Sequence, residues 1–250
     1  MTATSAIAAQ HIVLLGAAGG IGSIIAKSLL ENGHYVYLLD LQERHTALTS
    51  LEKNHPEKAR FLPCDLRDHN SIESAFQKLG AAPGKLDACI NAAGVIHRGS
   101  FIETSASDLH RVMETNVSGP FIALQHATRL LVNNGGGRIV NVASAHGLRT
   151  GTERTAYAMS KGAILSLTRA LAVELGPQSI LVNAVAPGPV SSGMQDANSE
   201  SRRRWQSATP LGRVSTAHEV AAAVKQLMYP ANTFITGQTL VIDGGASSAI

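Results

Sequence analysis

Seven short apolar runs punctuate the chain, at residues 11–16, 35–39, 60–63, 86–91, 138–143, 180–185 and 239–242. Each is rich in Val, Ile or Leu and nearly continuous rather than alternating. That pattern suits strands buried on both faces in a parallel sheet. Between the runs, apolar residues recur at helical spacing over 21–32, 71–79, 108–133, 157–175 and 217–228. Ser105 precedes Asp108 at capping spacing, Gly33 and Gly176 follow their helices, and Pro177 forbids continuation. The alternation predicts one doubly wound α/β domain over residues 1–250: a seven-stranded parallel sheet, helices on both faces, right-handed crossovers. No linker, repeat or low-complexity block interrupts it. The densest glycine run, residues 135–137, falls where a helix must turn into a strand.

Composition narrows the function classes. With 44% hydrophobic residues in 250, the chain can bury a sizeable core. A formal net charge of +3, spread over 16% charged residues, is too modest and scattered for a nucleic-acid footprint. The cluster Arg202, Arg203 and Arg204 reads as a solvated helix face. Cys64 and Cys89 lie in apolar segments and read as buried thiols, so no disulfide framework is indicated. No run approaches the roughly 18 apolar residues of a membrane span, and residues 1–10 carry no basic region before their short apolar stretch. A soluble, cytoplasmic protein with neither nucleic-acid nor membrane partners is expected.

Two patterns carry chemistry. The first strand runs into a glycine turn, with Gly16, Gly20 and Gly22 spaced for close backbone approach at the start of a helix. Exposed amides and the positive helix end there favour a pyrophosphate. Asp40 ends the next strand about 20 residues on, the distance at which a carboxylate reaches adenosine ribose hydroxyls. It would repel an additional phosphate, which favours NAD over NADP. The second pattern is Tyr157 and Lys161, four residues apart, with Ser144 thirteen residues before Tyr157. On a helix this spacing stacks the ammonium near the phenol, and a fixed cation lowers a phenol pKa from about 10. A lone pair at this spacing equally suits an amphipathic anchor and a solvated neighbour.

Taken together, Gly16-x-x-x-Gly20-Ile-Gly22, Asn91-Ala-Ala-Gly94, Asn116, Ser144, Tyr157-x-x-x-Lys161 and Pro187-Gly188 occur in the order and spacing of the short-chain dehydrogenase/reductase family. The resemblance spans essentially the whole chain, through Pro210-Leu-Gly-Arg213 to Val241-Ile-Asp-Gly-Gly245. It implies a Rossmann-type domain, a nicotinamide cofactor, no catalytic metal, and alcohol-to-carbonyl chemistry. Tyr157 would be the acid/base, Lys161 its support and partner to the nicotinamide ribose, and Ser144 the group that polarises the substrate oxygen. Asn116 would bend its helix and hold a water that links Lys161 to solvent. The cofactor would be held by Gly16, Gly19, Gly20, Ile21, Gly22, Asp40, Leu41, Asp65, Leu66, Asn91, Ala92, Gly94, Tyr157, Lys161, Pro187, Gly188, Val190 and Ser192. Within that set, Asp65 would accept from the adenine amino group, and Asn91 would line the adenine-ribose side.

Three positions qualify the pattern. Leu15 replaces a usual threonine, so a side-chain hydrogen bond between turn and Asn91 loop is expected to be missing. Ser192 replaces threonine but keeps its hydroxyl. Gly19 stands where NADP-preferring relatives often carry arginine, a second pointer to NAD. Residues 191–209 should cover the substrate, which Ser144, His146, Tyr157, Met194 and Trp205 would contact; His97, Arg98, Arg149 and Arg154 lie around the same centre. The stretch from Asn91 to Arg98 is similar to members acting on sugar acids and polyols. The expectation is an NAD(H)-dependent oxidoreductase for a small polyol, sugar or sugar acid, assembled as a homotetramer through the long helices and the last strand. The alternatives are an NADPH-dependent 3-oxoacyl-thioester reductase and a catalytically silent dinucleotide sensor.

Overall fold

The structure, a computed structural model, describes residues 8–82, 84–191 and 206–248. Its elements follow in the order β1 (His11–Leu15), α1 (Gly22–Glu31), β2 (Tyr35–Asp40), α2 (Thr49–Asn54), β3 (Ala59–Pro63), α3 (His69–Gly80), β4 (Ala88–Asn91) and α4 (Ala106–Met113). Then come α5 (Gly119–Asn133), β5 (Gly137–Val142), α6 (Thr155–Leu175), β6 (Ile180–Pro187), β7 (Val190–Ser191), β8 (Ser215–Thr216), α7 (Ala217–Met228) and β9 (Thr239–Ile242). Seven strands form one parallel sheet in the order β3-β2-β1-β4-β5-β6-β9, and β7 pairs with β8 apart from it.

Alternation along β1 shows how the sheet is buried. Val13 and Leu15 face a core built with α3, α5 and the C-terminal part of α6, whereas Ile12 and Leu14 face one built with α1 and α7. All four are fully buried, which is why the strand reads as a continuous apolar run. The last strand departs from this. β9 sits at the sheet edge with Leu240 and Val241 42% and 36% exposed, so the expectation that every apolar run is covered on both faces fails there.

Helix boundaries follow local chemistry. Asp68, Ser105 and Thr216 each cap the helix that follows with a side-chain oxygen, Thr216 in a reciprocal capping box with Glu219. At the far end of α6, Gly176 stays right-handed and Pro177 confines the chain to a 3-10 turn; Ser179 then takes the left-handed position, at φ 60°. The helix expected over 108–133 is interrupted: α4 gives way to a π turn, Glu114–Ser118, before α5 begins. Residues 42–54, unassigned from sequence, form a 3-10 turn and the short α2. Cys64 and Cys89 are buried, and burial pushes both thiols up to about 12.

Candidate active site

In a parallel sheet all carboxyl ends share one edge, and ligands bind there. Two cavities open at that edge. One, of about 390 Å³, is lined by Ser144, Tyr157, Lys161, Pro187, Gly188 and Val190, with Ile21 at its border. The other, of about 310 Å³, is lined by Gly16, Gly19, Asp40, Leu41, Asp65 and Leu66. Ala92, Ala93, Gly94 and Val95, directly after β4, line both and join them into one cleft.

The polar cluster of the first cavity is set by β5 and α6. Ser144 follows β5 and starts a tight turn, its Oγ accepting from His146 N at 3.2 Å. Its side chain is also hydrogen-bonded to that of Tyr157. Lys161 lies one turn beyond Tyr157, its Nζ 5.9 Å from the centre of the phenol ring. The ammonium donates to Val142 O at 2.9 Å; Val142 lies one residue past the last β4–β5 pair, which leaves its carbonyl open to the lysine. Asn116, fully buried in the π turn, accepts from Val95 N at 2.7 Å and donates to Val95 O and Ser160 Oγ, each at 2.9 Å. Gly94 faces both polar groups: a Cβ there would stand 3.2 Å from Lys161 Nζ and 3.4 Å from Asn116 Oδ1.

The second cavity is framed by the glycine turn. Gly16 has φ 76°, and a Cβ on it would stand 2.7 Å from the Ala93 backbone; one on Gly22 would overlap Gly16 O. Only glycine lets strand, loop and helix approach this closely. Asp40 accepts from Ala18 N and Leu41 N, each at 2.8 Å, which locks the carboxylate beneath the turn.

A comparison with known proteins fits this geometry. A family model described as Enoyl-(Acyl carrier protein) reductase matches residues 16–247. The chain belongs to the short-chain dehydrogenase/reductase family. An acetoacetyl-CoA reductase of an Acinetobacter strain is 32% identical to this family member, covering 94% of the chain and 97% of the relative. An NAD-dependent glycerol dehydrogenase of Listeria innocua is 33% identical over 93% and 92%. Among solved structures, a gluconate 5-dehydrogenase from Burkholderia cenocepacia, in complex with NADP and tartrate, superposes with a TM-score of 0.90 at 27% identity and 96% coverage of both chains. This short-chain dehydrogenase/reductase is therefore an oxidoreductase with a dinucleotide cofactor. The cleft fits that group. It runs from Asp40 past the N-terminus of α1 to Tyr157, and α1 starts with neither a side-chain cap nor an acid in its first turn, which leaves its positive end open to a phosphate.

Electrostatics in this dehydrogenase depart from the sequence expectation. Burial is the largest influence on the Tyr157 phenol and raises its pKa; the Ser144 hydrogen bond and the Arg154 charge pull it down without prevailing. The same burial pushes Lys161 down from 10.5 to about 8. The lysine, 5.9 Å from the ring centre, does not bring the phenol below its ordinary value in the protein alone, because desolvation sets the direction of the shift. The His146 imidazole is held below its ordinary pKa by burial and by the Arg154 and Arg98 charges, which favours its neutral form.

Other expected residues find varied places. Asn91 is buried away from both cavities, its Nδ2 donating to Asn141 Oδ1 at 3.2 Å, and Asn141 donates on to Thr168. It braces the β4–β5 pair rather than lining the cleft, a correction to the sequence expectation. Gly20 and Gly22 likewise shape the turn without lining a cavity. Asp65 is at the cleft, but Arg67 grips it through Nε at 3.0 Å and Nη2 at 2.7 Å and holds its carboxyl below the usual range. At Leu15 the backbone makes the expected missing tie, Ala92 N donating to Leu15 O at 3.0 Å. Ser192, Met194, Trp205 and the arginines at 202–204 lie outside the described residues. Sequence reasoning missed Arg44, which donates to Ala18 O beside Asp40, and Asp243, which lines the first cavity. A signal for Asp243 lay in the Val241-to-Gly245 motif.

Proposed function

We propose that this protein interconverts a secondary alcohol and a ketone with NAD(H), and that its substrate is a small polar molecule such as a polyol, sugar or sugar acid. The observation behind the reading is the meeting of Ser144, Tyr157 and Lys161 in a cavity continuous with the glycine turn and Asp40. When bound, the nicotinamide would supply the hydride acceptor or donor. Tyr157 Oη takes the carbinol proton during oxidation and returns it during reduction. Ser144 Oγ holds the substrate oxygen against the phenol. Lys161, protonated at neutral pH even with its lowered pKa, supplies the positive charge that a phenolate needs once the substrate oxygen and the cofactor displace water. Asn116 carries an oxygen toward the same space and is the natural holder of a proton path to solvent.

NAD is favoured because Asp40 presents a carboxylate where an additional ribose phosphate would sit, and Gly19 offers no countercharge. Arg44 and Arg67 share that cavity, yet each is already bonded, to Ala18 O and Asp65. A second reading, a 3-oxoacyl-thioester reductase using NADPH, is supported by the acetoacetyl-CoA reductase relative. We also propose a homotetramer: apolar side chains stand exposed ahead of α4, at Phe101 and Ile102, on α5, at Phe121, on α6, at Val173, and before and on β9, at Phe234 and Leu240. Sedimentation should then report a species of four 26.2 kDa chains. The functional test is turnover of a panel of polyols, sugar acids and simple secondary alcohols with NAD and with NADP, beside acetoacetyl-CoA with each reduced cofactor. NAD reduction by a polar alcohol supports the reading. Turnover confined to the thioester and NADPH replaces it with the second one.

A further inference from the structure

The charge lining the first cavity is lopsided. Among the described residues that line it, Arg98, Arg149, Arg154 and Lys161 stand with one carboxylate, Asp243. Asp243 is engaged, its oxygens accepting from Gly245 N at 3.0 Å and Ser247 N at 2.7 Å. Lys161 is directed to Val142 O, and Arg149 donates to Ser247 O at 2.5 Å. Two guanidinium groups remain. Arg154 is half-buried and spends Nη1 on the adjacent Glu153 carbonyl, at 2.9 Å, while Arg98 makes no hydrogen bond among the described residues. Neither forms a salt bridge among those residues.

Both line the same cavity, where the Arg98 charge lowers the proton affinity of Arg154 and both charges lower that of His146. Arg154 is half-buried and Arg98 exposed at the cavity mouth, and an anion meeting both would relieve the like charge on the half-buried one. Helix α6 adds to the field. Arg154 is its N-cap residue, no side chain caps it, no acid lies in its first turn, and its 21 residues direct a positive end toward the cavity. Tyr157 lies three residues along the same helix from Arg154, on the same face, and each feels the other's charge.

We infer that Arg98 and Arg154 form an anion subsite beside Tyr157 that takes the carboxylate of the substrate, so that the substrate is a hydroxy acid or oxo acid rather than an uncharged polyol. A carboxylate suits the planar fork of a guanidinium, which pairs with it through two parallel hydrogen bonds. The inference rests on the proposed alcohol–ketone chemistry for its substrate, and on the cavity alone for its anion.

Two measurements separate those layers. In the first, malonate, an unreactive dicarboxylate, is titrated calorimetrically into the enzyme–NADH complex of the wild type and of Arg98→Gln, Arg154→Gln and Arg154→Lys. Malonate binding should weaken by about tenfold or more in either Gln variant and less in Arg154→Lys, because a guanidinium–carboxylate pair is lost. In the second, kcat/KM with NAD is compared for an aldonic acid and the alditol of equal carbon number. The acid should be preferred by about tenfold or more, and that ratio should collapse toward unity in Arg154→Gln. Malonate affinity indifferent to both arginines, or no preference for the acid, overturns the subsite. Absence of turnover with any alcohol defeats the proposed function instead, and the malonate titration still decides the anion. Melting temperatures of the variants, with Arg154→Lys as the charge-retaining control, identify any loss that comes from misfolding.

Discussion

Replacing Lys161 with Met should make the cofactor-free protein more stable while abolishing its turnover. The ammonium is buried, and burial lowers its pKa from 10.5 to about 8. A displacement of that size corresponds to about 3 kcal/mol held against the folded state when the lysine is protonated. Methionine fills similar apolar volume without the charge but loses the 2.9 Å bond to Val142 O, which offsets about 1–2 kcal/mol. The net gain is about 1–2 kcal/mol, or a rise of about 3–6 °C in melting temperature for a chain of this size. The pH dependence fixes the cause. Below pH 8 both folded and unfolded lysines are protonated and the wild type carries the whole penalty. Between about 8 and 10.5 the folded lysine releases its proton first, so wild-type stability rises with pH and the advantage of the variant vanishes and then reverses, leaving the lost Val142 bond as the difference. Calorimetric melting of both proteins without cofactor at pH 7 and pH 10 measures this directly. A variant that melts below the wild type at pH 7, or a gain equal at both pH values, would refute the assignment of a costly buried ammonium.

Three further outcomes follow from the cleft. Gly94→Ala places a methyl 3.2 Å from Lys161 Nζ and 3.4 Å from Asn116 Oδ1; kcat should fall by about tenfold or more, with the melting temperature within a few degrees of wild type. Asn116→Ala removes three hydrogen bonds from a fully buried site, at a cost of about 3 kcal/mol, and should lower the melting temperature by about 5–10 °C. Asp40→Ser removes the carboxylate from the second cavity, and steady-state kinetics should show the NAD-over-NADP ratio of kcat/KM falling by about tenfold.

The parts legible in the sequence were those governed by local pattern. Continuous apolar runs located the strands to within one or two residues, and the glycine spacing placed the turn at the mouth of the cleft. What escaped depended on distant partners. The π turn at Glu114–Ser118 interrupts a helical pattern that runs unbroken in sequence, and it coincides with Asn116 bonding to the Val95 backbone, 21 residues away. Asn91 was read as facing the cofactor because its motif lies at a strand end; register with β5 turns it onto Asn141 instead. A four-residue spacing correctly brought Lys161 near Tyr157, but spacing carries no measure of dielectric, and burial decides the sign of both pKa shifts. β9 has the apolar composition of a buried strand, and composition alone does not distinguish a central strand from an edge one.

The most direct test of the central claim follows the hydride itself. Once the panel yields a ketone that is reduced, NADH deuterated at the transferable C4 position is incubated with it, the product is read by mass spectrometry, and NADH binding is measured in parallel for the wild type and Tyr157→Phe. The account predicts one deuterium on the carbinol carbon with the wild type, and with the variant a loss of product of about a thousandfold with NADH affinity largely retained. Product without deuterium from the wild type, or undiminished product from Tyr157→Phe, would contradict it.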